Sequence, residues 1–336
     1  MNEIEKFEQL LEKHKNFKFE TVFTKKRMYE TYLEYSKTIQ DRKLNIGFSE
    51  IDNCLGGIRP SEIITVVAPT NIGKSAFAMN VAYNIAEQTK YNIILFSLEM
   101  SEIDIFERFL QMQTGNNSYS LENLFKKNDE EFLKKVKEAV IKFNNVISVV
   151  KRIHINEILT YCLAIKELTE RENALIILDY VGLIENGVNK NDYQNITDIM
   201  RKLKEIALHI KIPIMLLSQT DRVNSKEGNL GLHSGKGSGE VENTSNILFT
   251  LERLEEIPAE QIDGETIEMV TGEHKTHNLL LLTNHKKKRG TIPRPTYILF
   301  NRSTLRMEEY LTVKQQADRL DQARFLKQSH HQTANF

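Results

Sequence analysis

Residues 66–80 read VVAPTNIGKSAFAMN. The stretch opens as an apolar strand, closes as a helix, and its middle nearly spells the phosphate-loop consensus GxxxxGK[ST]. In that frame the loop is Ala68, Pro69, Thr70, Asn71, Ile72, Gly73, Lys74 and Ser75, followed by Ala76 as the helix begins. The first consensus glycine is replaced by alanine, the smallest alternative. The positions on which the chemistry depends are intact. Gly73 lets backbone approach an oxygen closely, Lys74 meets the β and γ oxygens, and the Ser75 hydroxyl holds magnesium at a helix N-terminus whose free N–H groups favour anions. A GKS triplet alone arises by chance in many chains. Here it follows the apolar run IITVVA at 63–68 and opens a helix with Phe77, Val81 and Ile85 on one face, the context that the motif requires.

Outward from this loop, short apolar runs alternate with amphipathic segments, the pattern of an α/β fold whose parallel sheet is covered by helices. The further candidate strands are NIILFSL (92–98), ALIILDY (174–180), PIMLLSQ (213–219), NILFTLE (246–252), NLLLLTN (278–284) and TYILFN (296–301). Between the third and fourth strands of the series, Ile196, Ile199, Met200, Leu203, Ile206, Ala207 and Ile210 form one helical stripe. A crossover of this kind predicts that the strands on either side are parallel. Residues 121–143 read as a further helix with a charged outer face.

A triphosphatase also needs a carboxylate near magnesium and a group that activates or orients water. Asp179 closes the strand ALIILD, which places its carboxylate at the sheet's C-terminal edge, beside the phosphate loop if the two strands are neighbours. Glu99 follows IILFSL in the same way and is the candidate general base. Ser101 and Asp104, just beyond it, have the spacing of a helix-capping box. Gln219 ends IPIMLLSQ and is a candidate γ-phosphate sensor.

Composition constrains the rest. The 336 residues suffice for a large core, and two cysteines, Cys54 and Cys162, stand far apart without metal or disulfide spacing, as expected of a reduced, cytoplasmic protein. No apolar window of membrane-spanning length and no secretory leader is visible. The formal net charge of −1 leaves any nucleic-acid contact to local basic patches. Residues 1–42 read as a helical arm, 43–313 as the nucleotide-binding domain, and 314–336 as a flexible tail. Five of the fifteen glycines fall between Asp221 and Glu240, which predicts a mobile loop.

Taken in order, IGFSEIDNCLGGIRPSEIITVVAPTNIGKS, FSLEMS, LIILDYVGLIE, MRKLKEIALHIKIPIMLLSQTDR and SGEVENTSNILFTLER resemble the DnaB-type replicative helicases, hexameric RecA-fold motors of bacteria and their phages. The resemblance covers roughly residues 43–310, and alanine is common in that family at the first loop glycine. It implies a DNA-stimulated ATP hydrolase using ATP and Mg2+. Lys74 and Ser75 would be phosphate and magnesium contacts, Glu99 the base, Asp179 the second magnesium-site residue and Gln219 a sensor coupling hydrolysis to DNA loops. It also implies a homo-oligomeric ring acting on single-stranded DNA and forked duplex, with primase or a helicase loader as partner. The family carries a large N-terminal collar, where this chain has about 42 residues, as in phage-type members.

The family's trans-acting basic motif reads K-x-R shortly before a glycine. Here NHKKKRG (284–290) offers Lys286 and Lys288, with lysine in the arginine's place and Arg289 one position late. Either Lys288 or Arg289 serves, or the segment is a basic turn facing solvent or DNA. In such a ring, DNA phosphates meet loops rich in lysine, arginine and main-chain N–H. The candidates are 185–195 and 221–240, with Lys190, Arg222, Lys226 and Lys236. Two other readings share these residues: a RecA-type mediator that loads on DNA without unwinding, and a regulatory ATPase without motor function.

Overall fold

The structure, a computed structural model, describes residues 3–15, 24–88, 91–170, 174–187, 192–220, 238–253, 277–289, 292 and 295–310. Two helices lead, α1 (Glu3–His14) and α2 (Lys25–Arg42), followed by the short α3 (Ser49–Leu55). Then come β1 (Ile63–Ala68), α4 (Lys74–Gln88), β2 (Asn92–Ser97), α5 (Glu102–Thr114), α6 (Ser118–Lys126), α7 (Glu130–Lys142) and β3 (Val146–Val150). The chain continues through α8 (Ile155–Thr169), β4 (Ala174–Asp179), α9 (Asp192–Ile210) and β5 (Ile214–Gln219). It ends in α10 (Ser238–Thr244), β6 (Ile247–Arg253), β7 (His277–Lys287), β8 (Thr296–Asn301) and β9 (Met307–Tyr310).

The described strands form one nine-stranded sheet in the order β3-β2-β4-β5-β1-β6-β7-β8-β9. From β3 to β6 every pairing is parallel, including β4 with β5 across the α9 crossover, whereas β6 to β9 pair antiparallel. Alternation along the strands sends side chains to two separate cores. Ile64, Val66, Ile177 and Leu217 pack under α4 with Phe77, whose ring stacks on Phe48 at 5.3 Å. On the opposite face Ile63, Val67, Ile176 and Leu216 pack under α8 and α9, where all seven residues of the α9 stripe are buried. Helix α1 lies on α8, with Phe7 5.8 Å from Tyr161 between ring centroids and Lys13 2.6 Å from Glu167.

Several expectations change. The single helix expected over 121–143 is two: Asn128 adopts a left-handed φ of 50°, and the Asp129 side chain accepts from Phe132 N–H to begin α7. Short polar residues favour caps over helix interiors, and the sequence KKND supplies both the stop and the restart. The strand of Asp179 is not a neighbour of the phosphate-loop strand, because β5 lies between β4 and β1. Two strands escaped the sequence reading: β3, which is only partly buried, and the four-residue β9. Of the glycine-rich stretch, 221–237 lies outside the described residues, as do 311–336, and 238–240 begin α10 and not a loop.

Candidate nucleotide site

The parallel strands end along one edge of the sheet, and the polar residues singled out in the sequence converge there. The chain leaves β1 at Ala68, which is fully buried and registers with Gln219 at the end of β5. The loop turns through Asn71 in the left-handed region (φ 64°) and Gly73 at φ 118°, a conformation that L side chains rarely adopt. A Cβ on Gly73 would stand 3.0 Å from the Phe300 ring and 3.2 Å from the Met307 methyl. The loop therefore needs glycine for its backbone angle and for the closeness of the β8–β9 hairpin behind it. Phe77 N–H donates to the Gly73 carbonyl at 2.8 Å, so α4 starts at Lys74 with its first N–H groups open toward the loop.

Lys74 is buried, with its Nζ 3.7 Å from Asp179 Oδ1 and 4.8 Å from the Tyr180 ring centroid. Burial lowers its pKa from the usual lysine value, opposed by the charges of Asp179 and Glu99. Asp179 is 3% exposed, and its Oδ1 has no hydrogen-bond partner. A buried carboxylate oxygen without a donor is costly to leave so, and it fits a site meant for a cation. Asp179 and the Ser75 hydroxyl are the residues that would hold Mg2+, an ion that typically takes one or two protein oxygens and fills its octahedron with water and phosphate. Consistent with so sparse a donor set, no cluster of three or more His, Cys, Asp or Glu able to bind metal occurs among the described residues.

Glu99, two residues beyond β2, is exposed at the mouth of the same cleft, and the helix after it begins with the expected box, Ser101 and Asp104 each accepting from the other's backbone. The cleft has a volume of about 630 Å³ and is lined by the loop from Pro69 to Ala76 except Ile72, together with Glu99, Met100 and Gln219. Sequence reasoning missed its other wall: Arg108 of α5, Arg253 at the end of β6, and Phe300, Arg302 and Leu305 of the β8–β9 hairpin. Arg253 Nε is buried without a hydrogen-bond partner, so an anion in the cleft would satisfy it. Arg253 carried the same signal as Asp179 and Gln219, a polar residue closing an apolar strand. Arg108 and Arg302 carried none.

The basic segment lies elsewhere. Because β7 runs antiparallel to β6, it ends beside the start of that strand, with Lys286 opposite Leu248 and Lys287 opposite Ile247. Lys286, Lys288 and Arg289 thus stand at the amino edge of the sheet, roughly 20 Å from the phosphate loop at about 3.3 Å per residue of β1. Of the DNA-contact candidates, Lys190, Arg222, Lys226 and Lys236 lie outside the described residues. The described parts of 185–195 border a second cleft of about 630 Å³ that includes Arg152, Gly187 and Asn195, whose Oδ1 is buried without a partner.

Residues 43–308 match the family described as the DnaB-like helicase C-terminal domain. The replicative DNA helicase DnaB of Geobacillus stearothermophilus is 30% identical over 236 residues, 68% of this chain and 51% of that protein. The chain thus spans about half the length of that relative. Among solved structures, one described as an ATPase domain has a TM-score of 0.70 at 20% identity, covering 87% of this chain and 100% of that one. A DnaB-like replicative helicase described with its interactions with primase has a TM-score of 0.66 at 19% identity, covering 91% and 75%. The fold likeness and the extent of the family match lead to one conclusion: this chain belongs to the DnaB-like helicase C-terminal domain family.

Proposed function

We propose that this chain is the ATP-hydrolysing motor of a replicative DNA helicase, acting in a homo-oligomeric, hexameric ring that translocates on single-stranded DNA and unwinds forked duplex. One observation carries the reading. A buried lysine of a phosphate loop faces a buried carboxylate whose Oδ1 has no donor, with Glu99 and Gln219 beside them on the same sheet edge.

In this scheme the main-chain N–H groups of 70–75 and Lys74 hold the triphosphate, and Asp179 with Ser75 holds Mg2+. Held by these two residues, Mg2+ would supply neutralisation of the negative charge that develops as the terminal phosphate is transferred. Glu99, exposed at the cleft mouth, takes the proton of the attacking water. Gln219 lines the cleft and precedes the chain leading to 221–240, and in this scheme it reports the state of the γ-phosphate to that segment. Loops 185–195 and 221–240, with Lys190, Arg222, Lys226 and Lys236, grip DNA phosphates, and primase or a helicase loader is the protein partner. The DnaB-like relative described with primase interactions supports that partner class. No helix among the described residues is long and apolar enough to cross a membrane.

The test pairs two measurements on the full chain. ATP hydrolysis should rise on addition of single-stranded DNA, and a forked duplex should be separated in the presence of MgATP. Stimulated hydrolysis without strand separation would favour a DNA-loading mediator of the RecA type. Hydrolysis indifferent to DNA would favour a regulatory ATPase.

A further inference from the structure

The β8–β9 hairpin forms one wall of the nucleotide cleft through Phe300, Arg302 and Leu305. Its turn is tightly closed. Asn301 N–H donates to the Arg306 carbonyl at 2.9 Å, and the Asn301 side chain accepts from Ser303 and Thr304 N–H at 3.0 and 3.2 Å. Leu305 then enters the left-handed region at φ 58°, where leucine is uncommon. Such a backbone persists only where its surroundings hold it.

Asn80, in the interior of α4, provides the hold. It is fully buried. Its Nδ2 donates to the Ala76 carbonyl one turn back and to the Leu305 carbonyl, both at 2.8 Å, while its Oδ1 accepts Met307 N–H at 2.9 Å. These partners fix the orientation of the amide, since the reverse would set its oxygen against two carbonyls and its NH2 against an N–H. Between the two gripped residues, Arg306 lays its guanidinium 4.2 Å from the ring centroid of Tyr83, one turn further along α4. Asparagine is a poor helix former and is costly to bury, so apolar packing alone does not call for it here.

We infer that Asn80 is a positioning residue: it clamps the β8–β9 hairpin to the phosphate-loop helix and so sets the wall against which the nucleotide binds. The inference rests on the ATP-hydrolysis reading above. Helix α4 begins at Lys74, so the loop and the wall are tied to the same helix, with Phe300 and Met307 closing on Gly73 from behind. Both bonds from Asn80 to the hairpin go to main chain and hold it whatever its side chains are. The wall meets the nucleotide alike before and during hydrolysis, so releasing it weakens binding without slowing the chemical step.

The experiment uses the full chain and measures Kd for a fluorescent ATP analogue, together with KM and kcat for phosphate release in the presence of single-stranded DNA. The variants are Asn80→Ala, Asn80→Ser, Glu309→Ala and Lys74→Ala, with circular dichroism and urea midpoints reporting folding. In Asn80→Ser the hydroxyl can return to the Ala76 carbonyl but is too short to reach the hairpin, so only the clamp is lost. Both Asn80 variants should raise Kd and KM about 10- to 100-fold, the scale of a displacement of about 1 Å, and leave kcat within about twofold of the parent. Glu309 caps α3 from β9, accepting from Ser49 Oγ at 2.9 Å and Glu50 N–H at 2.8 Å. Glu309→Ala should lower the urea midpoint with KM unchanged, which separates a clamp on the cleft from general loosening of β9.

Lys74→Ala with undiminished hydrolysis would remove the parent reading itself. With Lys74→Ala inactive, folded Asn80 variants that keep the parent's Kd and KM, or that lose kcat as steeply as they gain KM, would overturn only the present inference. So would a Glu309→Ala variant whose KM rises as far as that of Asn80→Ala. Loss of the folded state in both Asn80 variants would make Asn80 a folding determinant alone and would overturn it too.

Discussion

Strand β1 has two ends that treat charge in opposite ways. At its carboxyl end the chain surrounds an anion-sized space with main-chain N–H groups, a buried Lys74, and an Asp179 oxygen that no donor satisfies. At its amino end, Glu62, Asn246 and the carbonyls of Glu242 and Asn243 take up the cations Arg289, Lys204 and Lys286. The first end holds polar groups still needing partners, and the second pairs these cations. The difference teaches where binding energy is stored. Unsatisfied buried groups are costly in a folded chain, so they persist where a ligand completes them.

Lys74→Ala should break this contrast most severely. It removes a buried cation of the carboxyl end and leaves Asp179 without its ion-pair partner, and hydrolysis should fall by about 10²–10³-fold or more, read as phosphate release. The amino-end ion pair should be untouched. Asp179→Asn keeps the volume and the contact with Lys74 but halves the oxygen available to a cation. The magnesium concentration for half-maximal hydrolysis should rise about 10- to 100-fold, the range seen when even outer-shell partners of a metal are lost. A magnesium requirement unmoved by Asp179→Asn would show that its lone oxygen has another purpose.

Gly73→Ala tests shape without charge. The backbone angle of 118° and the 3.0 Å approach of Phe300 should cost about 1–3 kcal/mol of stability in a urea titration and weaken binding of a fluorescent nucleotide. Equal loss from Phe300→Leu/Gly73→Ala would indicate that the angle, and not the neighbouring ring, dominates.

The smallest effect belongs to the amino end. Asp52 of α3 accepts N–H bonds from Ile46 at 2.7 Å and Gly47 at 2.8 Å. Burial outweighs both and raises its carboxyl from 3.8 to about 6. A carboxyl whose pKa is raised on folding adds stability that is complete below the unfolded value and lost as pH rises through the folded one. Between pH 4 and pH 7 the unfolding free energy of the parent, from urea titration, should therefore fall relative to that of Asp52→Asn by an amount on the order of 1–2 kcal/mol after allowing for partial exposure. Parallel profiles for the two proteins would remove Asp52 as the titrating group.

How much of this was legible beforehand differs between the two ends. Continuous apolar runs marked seven of the nine described strands, because the central strands are buried on both faces, and helical spacing marked the α9 stripe, where burial of one face sets the period. Polar residues closing apolar runs marked Asp179 and Gln219 for the same reason, since a buried strand ends where polarity returns. Arg253 closes β6 in the same way and belonged with them. Arg108 and Arg302 had no such signal, lying on a helix face and in a hairpin turn where arginine is ordinary. The break between α6 and α7 was spelled by Asn128 and Asp129, yet a continuous apolar spacing over 121–143 hid it.

The sequence by itself determined the α/β class, the phosphate loop and the order of its carboxylates, since these depend on local spacing and on residues within one strand-to-helix turn. Only the tertiary structure decided that β5 separates Asp179's strand from the loop's while Asp179 still meets Lys74. It alone decided that an antiparallel β7 carries the basic segment to the far edge, and that Glu62, 227 residues from Arg289 in the chain, pairs with the arginine. Those outcomes depend on strand order and direction, which are set by the packing of the whole sheet and leave no trace in the spacing of neighbouring residues.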